Sequence, residues 1–211
     1  MQNSFINLLK AATVATLLSG NSGLAADLAA GKADYKVCAV CHGQAAEGNT
    51  TLNAPKLIGL SATYLERQLR HFKTGIRGKT KGDRFGAQMQ PMAGTLDDAG
   101  VVNVAAYIAD LPEPVKKAKS KVKGDAQAGA QLYATCLACH GAAGEGNEAL
   151  GAPRLAGQSD WYLLRQLQNF KKGVRGSDPT DTYGAQMRPM AALLSDKKSQ
   201  KNVVAYINTL N

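Results

Sequence analysis

The chain has 211 residues, enough for one medium domain or two small ones, and only 6% of them are aromatic, so little core can come from aromatic side chains. The formal charge of +9 invites comparison with nucleic-acid binders, but its distribution excludes that class. Residues 26–113 carry ten bases and nine acids and residues 125–211 nine bases and seven acids, while five lysines crowd into residues 114–124; the excess is one short segment between two near-neutral halves, not a basic face interleaved with aromatics.

The start of the chain reads as a secretory signal peptide over residues 1–25. Lys10 is the only charged side chain before Asp27, the run from Ala11 to Leu18 is apolar and small, and Gly23, Leu24 and Ala25 offer the small residues at which such leaders are cut. The run is short for a membrane span. Export places the remaining 186 residues in an oxidising compartment, here the periplasm, where four cysteines are able to form two disulfides.

A repeat argues for another use of those cysteines. Shifted by 98 residues, the sequence matches itself: CAVCHG at Cys38–Gly43 falls on CLACHG at Cys136–Gly141, Ala54-Pro55 on Ala152-Pro153, and GAQM at Gly86–Met89 on Gly184–Met187. Tyr64, Arg67, Gln68, Phe72, Gly75 and Arg77 also have counterparts 98 positions on. One repeat of this length is a duplicated domain rather than a solenoid. The two domains are residues 26–113 and 125–211, joined by a lysine-rich linker, residues 114–124, that proline stiffens and like charge extends.

Taken in chain order, the first domain predicts a short helix over about Ala26–Val37, with Gly31 and Tyr35 four apart on one face, repeated by Gly129 and Tyr133. A second helix starts after Ser61 as N-cap, carries Leu65, Leu69 and Phe72 as its apolar stripe and stops at Gly75. A third starts at Thr95, paired with Asp98 in the manner of a capping box, and runs through Val101, Val104, Ala105 and Ile108 to Pro112. The QM-x-PMA segments read as glycine-rich, proline-containing loops. No stretch alternates as a strand does, so the fold class is all-α.

CAVCH and CLACH are C-x-x-C-H motifs, the haem-attachment signal of exported proteins. Cys38 and Cys41, like Cys136 and Cys139, are three apart on a helical turn, within reach of two vinyl groups on one porphyrin edge, and His42 or His140 follows to meet the iron. Two covalent haem c groups then supply the missing core. Zinc requires four ligands, which three histidines divided between two halves do not provide, and a thioredoxin-like motif requires a βαβ context that is absent. Histidine is nearly excluded as the second axial ligand, because His71 faces Asn169 in the repeat and reads as a polar helix residue. Every methionine after Met1 lies at a matched position: Met89 and Met92, Met187 and Met190. His/Met ligation raises the reduction potential.

Tandem CxxCHG domains with A-P-x-L, Y-L-x-x-Q-L, F-K-x-G-x-R and QM-x-PMA resemble the dihaem cytochrome c4 family over nearly all of residues 26–211. The resemblance implies two class I cytochrome c domains about an approximate two-fold axis. It makes Met89 and Met187 the iron ligands, with Met92 and Met190 packing beside the porphyrin. It also implies that the carbonyls of Pro55 and Pro153 accept from the histidine Nδ1–H, and that Gly31 and Gly129 let the first helix pack on the last. Arg67, Arg77, Arg165 and Arg175 have two open readings, contacts to haem propionates or exposed charge. With both irons closed by His and Met the protein is not an enzyme, which sets aside a dihaem peroxidase or thiosulfate dehydrogenase. The resemblance implies instead a carrier of single electrons between a quinol-oxidising complex or other periplasmic donor and a haem–copper terminal oxidase. The alternative is a dihaem subunit that accepts electrons from a flavoenzyme or other dehydrogenase. The lysine run is either a solvated spacer or a patch for an acidic partner or an anionic membrane surface, the latter a peripheral membrane association.

Overall fold

A computed structural model describes residues 25–112 and 120–210; most of the leader and the lysines at 116, 117 and 119 lie outside these. Nine α-helices carry the described residues, and no strand occurs among them. The first four are α1 (Leu28–His42), α2 (Ala62–Thr74), α3 (Arg84–Gly94) and α4 (Asp98–Asp110). The second set is α5 (Ala126–Tyr133), α6 (Leu137–His140), α7 (Asp160–Lys171), α8 (Thr182–Leu193) and α9 (Lys197–Ile207), with a 3₁₀ turn over Glu148–Leu150.

The helix starts follow from short acceptor side chains that satisfy otherwise orphaned N–H groups. Asp27 accepts from Ala29 and Ala30 N–H, Ser61 from Tyr64 N–H, and Asp125 from Gln127 and Ala128 N–H. Three expectations are corrected. The first helix does not end near Val37 but continues through the C-x-x-C-H motif to His42, because nothing between Val37 and His42 breaks the ladder. The helix placed at Thr95 begins at Asp98, capped by Asp97, whose carboxylate accepts from Gly100 N–H at 2.7 Å; the adjacent carboxylate outcompetes the threonine hydroxyl. The methionine segments are helices rather than loops. Pro91 and Pro189 lie inside them, and each helix continues through its proline without the hydrogen bond that the missing N–H would have made.

In each set the first and last helices meet at a glycine. A Cβ at Gly31 would lie 2.1 Å from the Asn103 carbonyl oxygen, and one at Gly129 2.0 Å from that of Asn202. The close approach brings Tyr35 onto Tyr107 (ring centroids 5.6 Å) and Tyr133 onto Tyr206 (5.3 Å). Tyr35 and Tyr133 donate at 2.8 Å to the carbonyls of Gly43 and Gly141, just after each motif histidine. Glycine at the helix crossing therefore helps set the position of the motif turn. We predict that Gly129→Ala destabilises the second domain by about 1–3 kcal/mol through overpacking. A lower denaturant midpoint with unchanged haem content would agree; an unchanged midpoint would mean that the crossing tolerates a methyl group.

Candidate functional site

Each set of helices closes around a cleft. The first holds about 1320 Å³ of empty space and the second about 1350 Å³, part of it open to solvent. Cys38, Cys41, His42, Met89 and Met92 line the first, with Leu57, Leu65 and Ile108. Cys136, Cys139, His140, Met187 and Met190 line the second, with Leu155, Leu163 and Ile207.

The histidines are aimed by the loop that follows them. Asn49 and Ala54 exchange backbone hydrogen bonds of 2.8 and 2.9 Å, as Asn147 and Ala152 do at 2.9 Å each, and this folds the next residue back over the motif. The carbonyls of Pro55 and Pro153 come to 2.8 Å from Nδ1 of His42 and His140. A carbonyl only accepts, so Nδ1 carries the hydrogen and the lone pair is left on Nε2. Burial pushes both imidazoles below the usual histidine range, while the prolyl carbonyls pull the other way. The result is a neutral, oriented ring, the form in which histidine binds a metal.

No disulfide joins any of the four cysteines; Cys38 and Cys136 are half-buried, and burial raises the thiol of each. The helices that carry the methionines are capped by Asp83 and Asp181, which accept from Gly86 and Gly184 N–H at 3.1 and 2.8 Å. Each pair is three residues apart on its helix, so both members turn to the same side. No described group of three His, Cys, Asp or Glu offers a bare-metal site. The residues fit a haem: thiols, a nitrogen lone pair, soft thioethers and an apolar wall meet in one cleft.

The four arginines separate into two reciprocal pairs, both between the domains. Arg67 donates to the Gly151 carbonyl at 2.6 Å and stacks over Tyr183; its counterpart Arg165 donates to Asn53 Oδ1 at 2.5 Å and stacks over Phe85. Arg77 donates to Gln68, Tyr162 and Gln166, and Arg175 to Gln166, Tyr64 and Gln68. Each contact recurs with the domains exchanged, which is the signature of a two-fold relation. Arg77 and Arg175 are only 8% exposed, so exposed charge is not their role. Neither bonds a carboxylate, and their Nε atoms have no partner.

Sequence reasoning missed Tyr64, Gln68, Tyr162 and Gln166, all of which line both clefts. Their signal was in the repeat: polar residues kept in both copies on the buried side of one helix. His71 is also more than a bland helix residue. Its Nδ1 lies 3.9 Å from Asp181 of the other domain.

The cytochrome c family profile matches residues 28–112 and again 126–211. Cytochrome c4 of Azotobacter vinelandii is 35% identical over 205 residues, 89% of this chain and 93% of that protein. A thiosulfate dehydrogenase electron acceptor of Stutzerimonas stutzeri is 36% identical over 163 residues, 73% of this chain and 72% of that one. The crystal structure of reduced cytochrome c4 from Pseudomonas stutzeri superposes with a TM-score of 0.71 at 31% identity, covering 89% of this chain and all of that one. The chain belongs to the dihaem cytochrome c4 family: it is an electron-transfer protein of two tandem cytochrome c domains, each with one covalent haem c.

Proposed function

We propose that this protein is a periplasmic carrier of single electrons, not an enzyme, with His42 and Met89 as axial ligands in the first domain and His140 and Met187 in the second. The observation that carries this reading is the repeated pairing, in one cleft, of a histidine fixed by a prolyl carbonyl at 2.8 Å with methionines on a capped helix. Cys38 and Cys41, and Cys136 and Cys139, are the thioether positions.

When bound, each haem supplies an iron that holds or releases one electron. The surrounding residues decide how readily. Pro55 and Pro153 fix the ring tautomer and raise imidazole basicity. The thioether of methionine and the apolar wall favour the less charged state and so a higher potential. With His42 and Met89, or His140 and Met187, holding the iron, no position would be left open for the substrate that peroxidase or oxidase chemistry must bind. Two buried arginines without a carboxylate are costly in isolation. Arg77 and Arg175 are therefore the residues we assign to the haem propionates. Arg67 and Arg165, whose guanidinium groups are tied across the boundary, act as clamps between the domains.

Tyr64, Gln68, Tyr162 and Gln166 belong to both cleft walls, so one layer of side chains separates the two sites. That thinness supports an internal relay. The leader reading of residues 1–25 supports the periplasm. Among the described residues no helix is long and apolar enough to cross a membrane. A haem–copper terminal oxidase is the proposed acceptor. The similarity to a thiosulfate dehydrogenase electron acceptor favours a second reading, a dedicated acceptor for a dehydrogenase.

Met89→Leu and Met187→Leu are each expected to remove about half of the methionine-to-iron absorption, because two equal sites contribute to it. If both variants keep the full band, Met92 and Met190 are the ligands instead. Reduced protein is expected to pass electrons to membranes that contain the oxidase; failure there, with normal oxidation by a small mediator, would leave the dehydrogenase-acceptor reading.

A further inference from the structure

The described end of the linker is not a free spacer. Asp160, which is buried at the start of α7, accepts from Lys121 and Val122 N–H at 2.5 Å each and from Ser120 Oγ at 3.0 Å. Asn208 donates to Ser120 Oγ at 2.9 Å, and Val122 packs into the core of the second domain. Gly124 lies so close to α9 that a Cβ there would be 2.5 Å from the Lys201 carbonyl oxygen. Burial raises the Asp160 carboxyl, but the Val122, Lys121 and Trp161 N–H groups and the Ser120 hydroxyl outweigh it and hold the group below the usual carboxylate range.

This anchoring lays residues 120–124 along α9, from Asn208 back to Lys201. Lys121 and Lys123 are exposed, as are Lys197, Lys198 and Lys201 on α9. Among the described residues none of the five forms an ion pair. The acids nearest in sequence, Asp125 and Asp196, are occupied as helix caps. The matching helix of the first domain differs: α4, the duplicate of α9, has Asp98 and Asp110 and no base. Of the two last helices only α9 carries a cationic strip, and Lys116, Lys117 and Lys119 lead into it in sequence. The opposite face of α9, through Val203 and Ile207, lines the second cleft.

We propose that this strip docks the acidic face of a one-electron redox protein, which makes the second domain the side on which that partner exchanges its electron. One electron leaves the reduced member and enters the oxidised one, with no bond made or broken. A docked partner would stand one helix thickness, about 10 Å, from the second cleft. An acidic protein surface is favoured over a bilayer because the strip contains no aromatic and its one apolar side chain, Val122, is turned into the core. The proposal rests on the carrier reading above.

The test uses the haem-loaded full-length protein and reduced plant-type [2Fe–2S] ferredoxin, an acidic one-electron donor, as the probe. Replacing Lys121, Lys123, Lys197, Lys198 and Lys201 with glutamine is expected to slow the second-order reaction about tenfold at about 0.01 M ionic strength, with the difference gone at about 1 M. Haem content and both potentials stay unchanged. Glutamine at Lys32, Lys36, Lys79 and Lys81 of the first domain is expected to change the rate less than about twofold. An equal slowing by both sets would overturn the proposal, because only net charge would then matter. So would an unchanged ferredoxin rate accompanied by lost binding to phosphatidylglycerol vesicles, which would make the strip a membrane site. A neutral ferrocene mediator run alongside separates these failures: if it cannot cycle both haems in the unmodified protein, the carrier reading itself falls and takes this proposal with it.

Discussion

Two buried positive charges that no carboxylate hydrogen-bonds govern how the molecule is built. Arg77 and Arg175 sit at the domain boundary and bond only neutral amides and hydroxyls. Removing a guanidinium from water costs several kcal/mol even after relaxation, and neutral acceptors return only part of that. Each arginine needs acceptors from both domains, so neither domain alone offers its arginine the same environment. Tyr64 answers to the same field: burial raises its hydroxyl, but Arg175, Arg77 and Arg67 together draw it below the usual tyrosine range. The interface and the clefts are thus one electrostatic unit, and carboxylates entering both clefts would relieve it.

The helices carry that arrangement. Glycines 31 and 129 bring the first helix onto the last, the tyrosines beside them tie down the motif turn, and the prolyl carbonyl fixes the histidine ring. Opposed to this rigid half is a short capped helix with two methionines. Neither half fills the centre of its domain. A chain with 6% aromatic residues can afford this only if a large flat group does so, and that group is then held by covalent bonds and by packing.

Much of this was legible in the residues, because the motifs report short-range chemistry. C-x-x-C-H fixes thiol and imidazole within one helical turn, and a 98-residue repeat in which the same residues recur shows the duplication. Other features were misread because they depend on competition or on distant contacts. Thr95 and Asp97 are both good caps, and only the folded backbone shows which carboxylate or hydroxyl reaches the orphan N–H. Pro91 suggested a loop, but the helix continues through it without the hydrogen bond that the missing N–H would have made. The arginines were undecided because their partners lie 84 to 112 residues away across the domain boundary. His71 looked unimportant because its repeat partner is asparagine, yet the acid it meets belongs to the other domain.

We propose that each cleft holds a haem whose iron is closed on both sides by the protein. Quantitative absorption spectra of the purified protein, oxidised and reduced, with haem counted per chain and the reduced form exposed to carbon monoxide, test it most directly. Two haems per chain, both low-spin, a methionine-to-iron band of matching intensity and no carbon monoxide adduct are expected. A single haem, or a high-spin fraction that binds carbon monoxide, would contradict it.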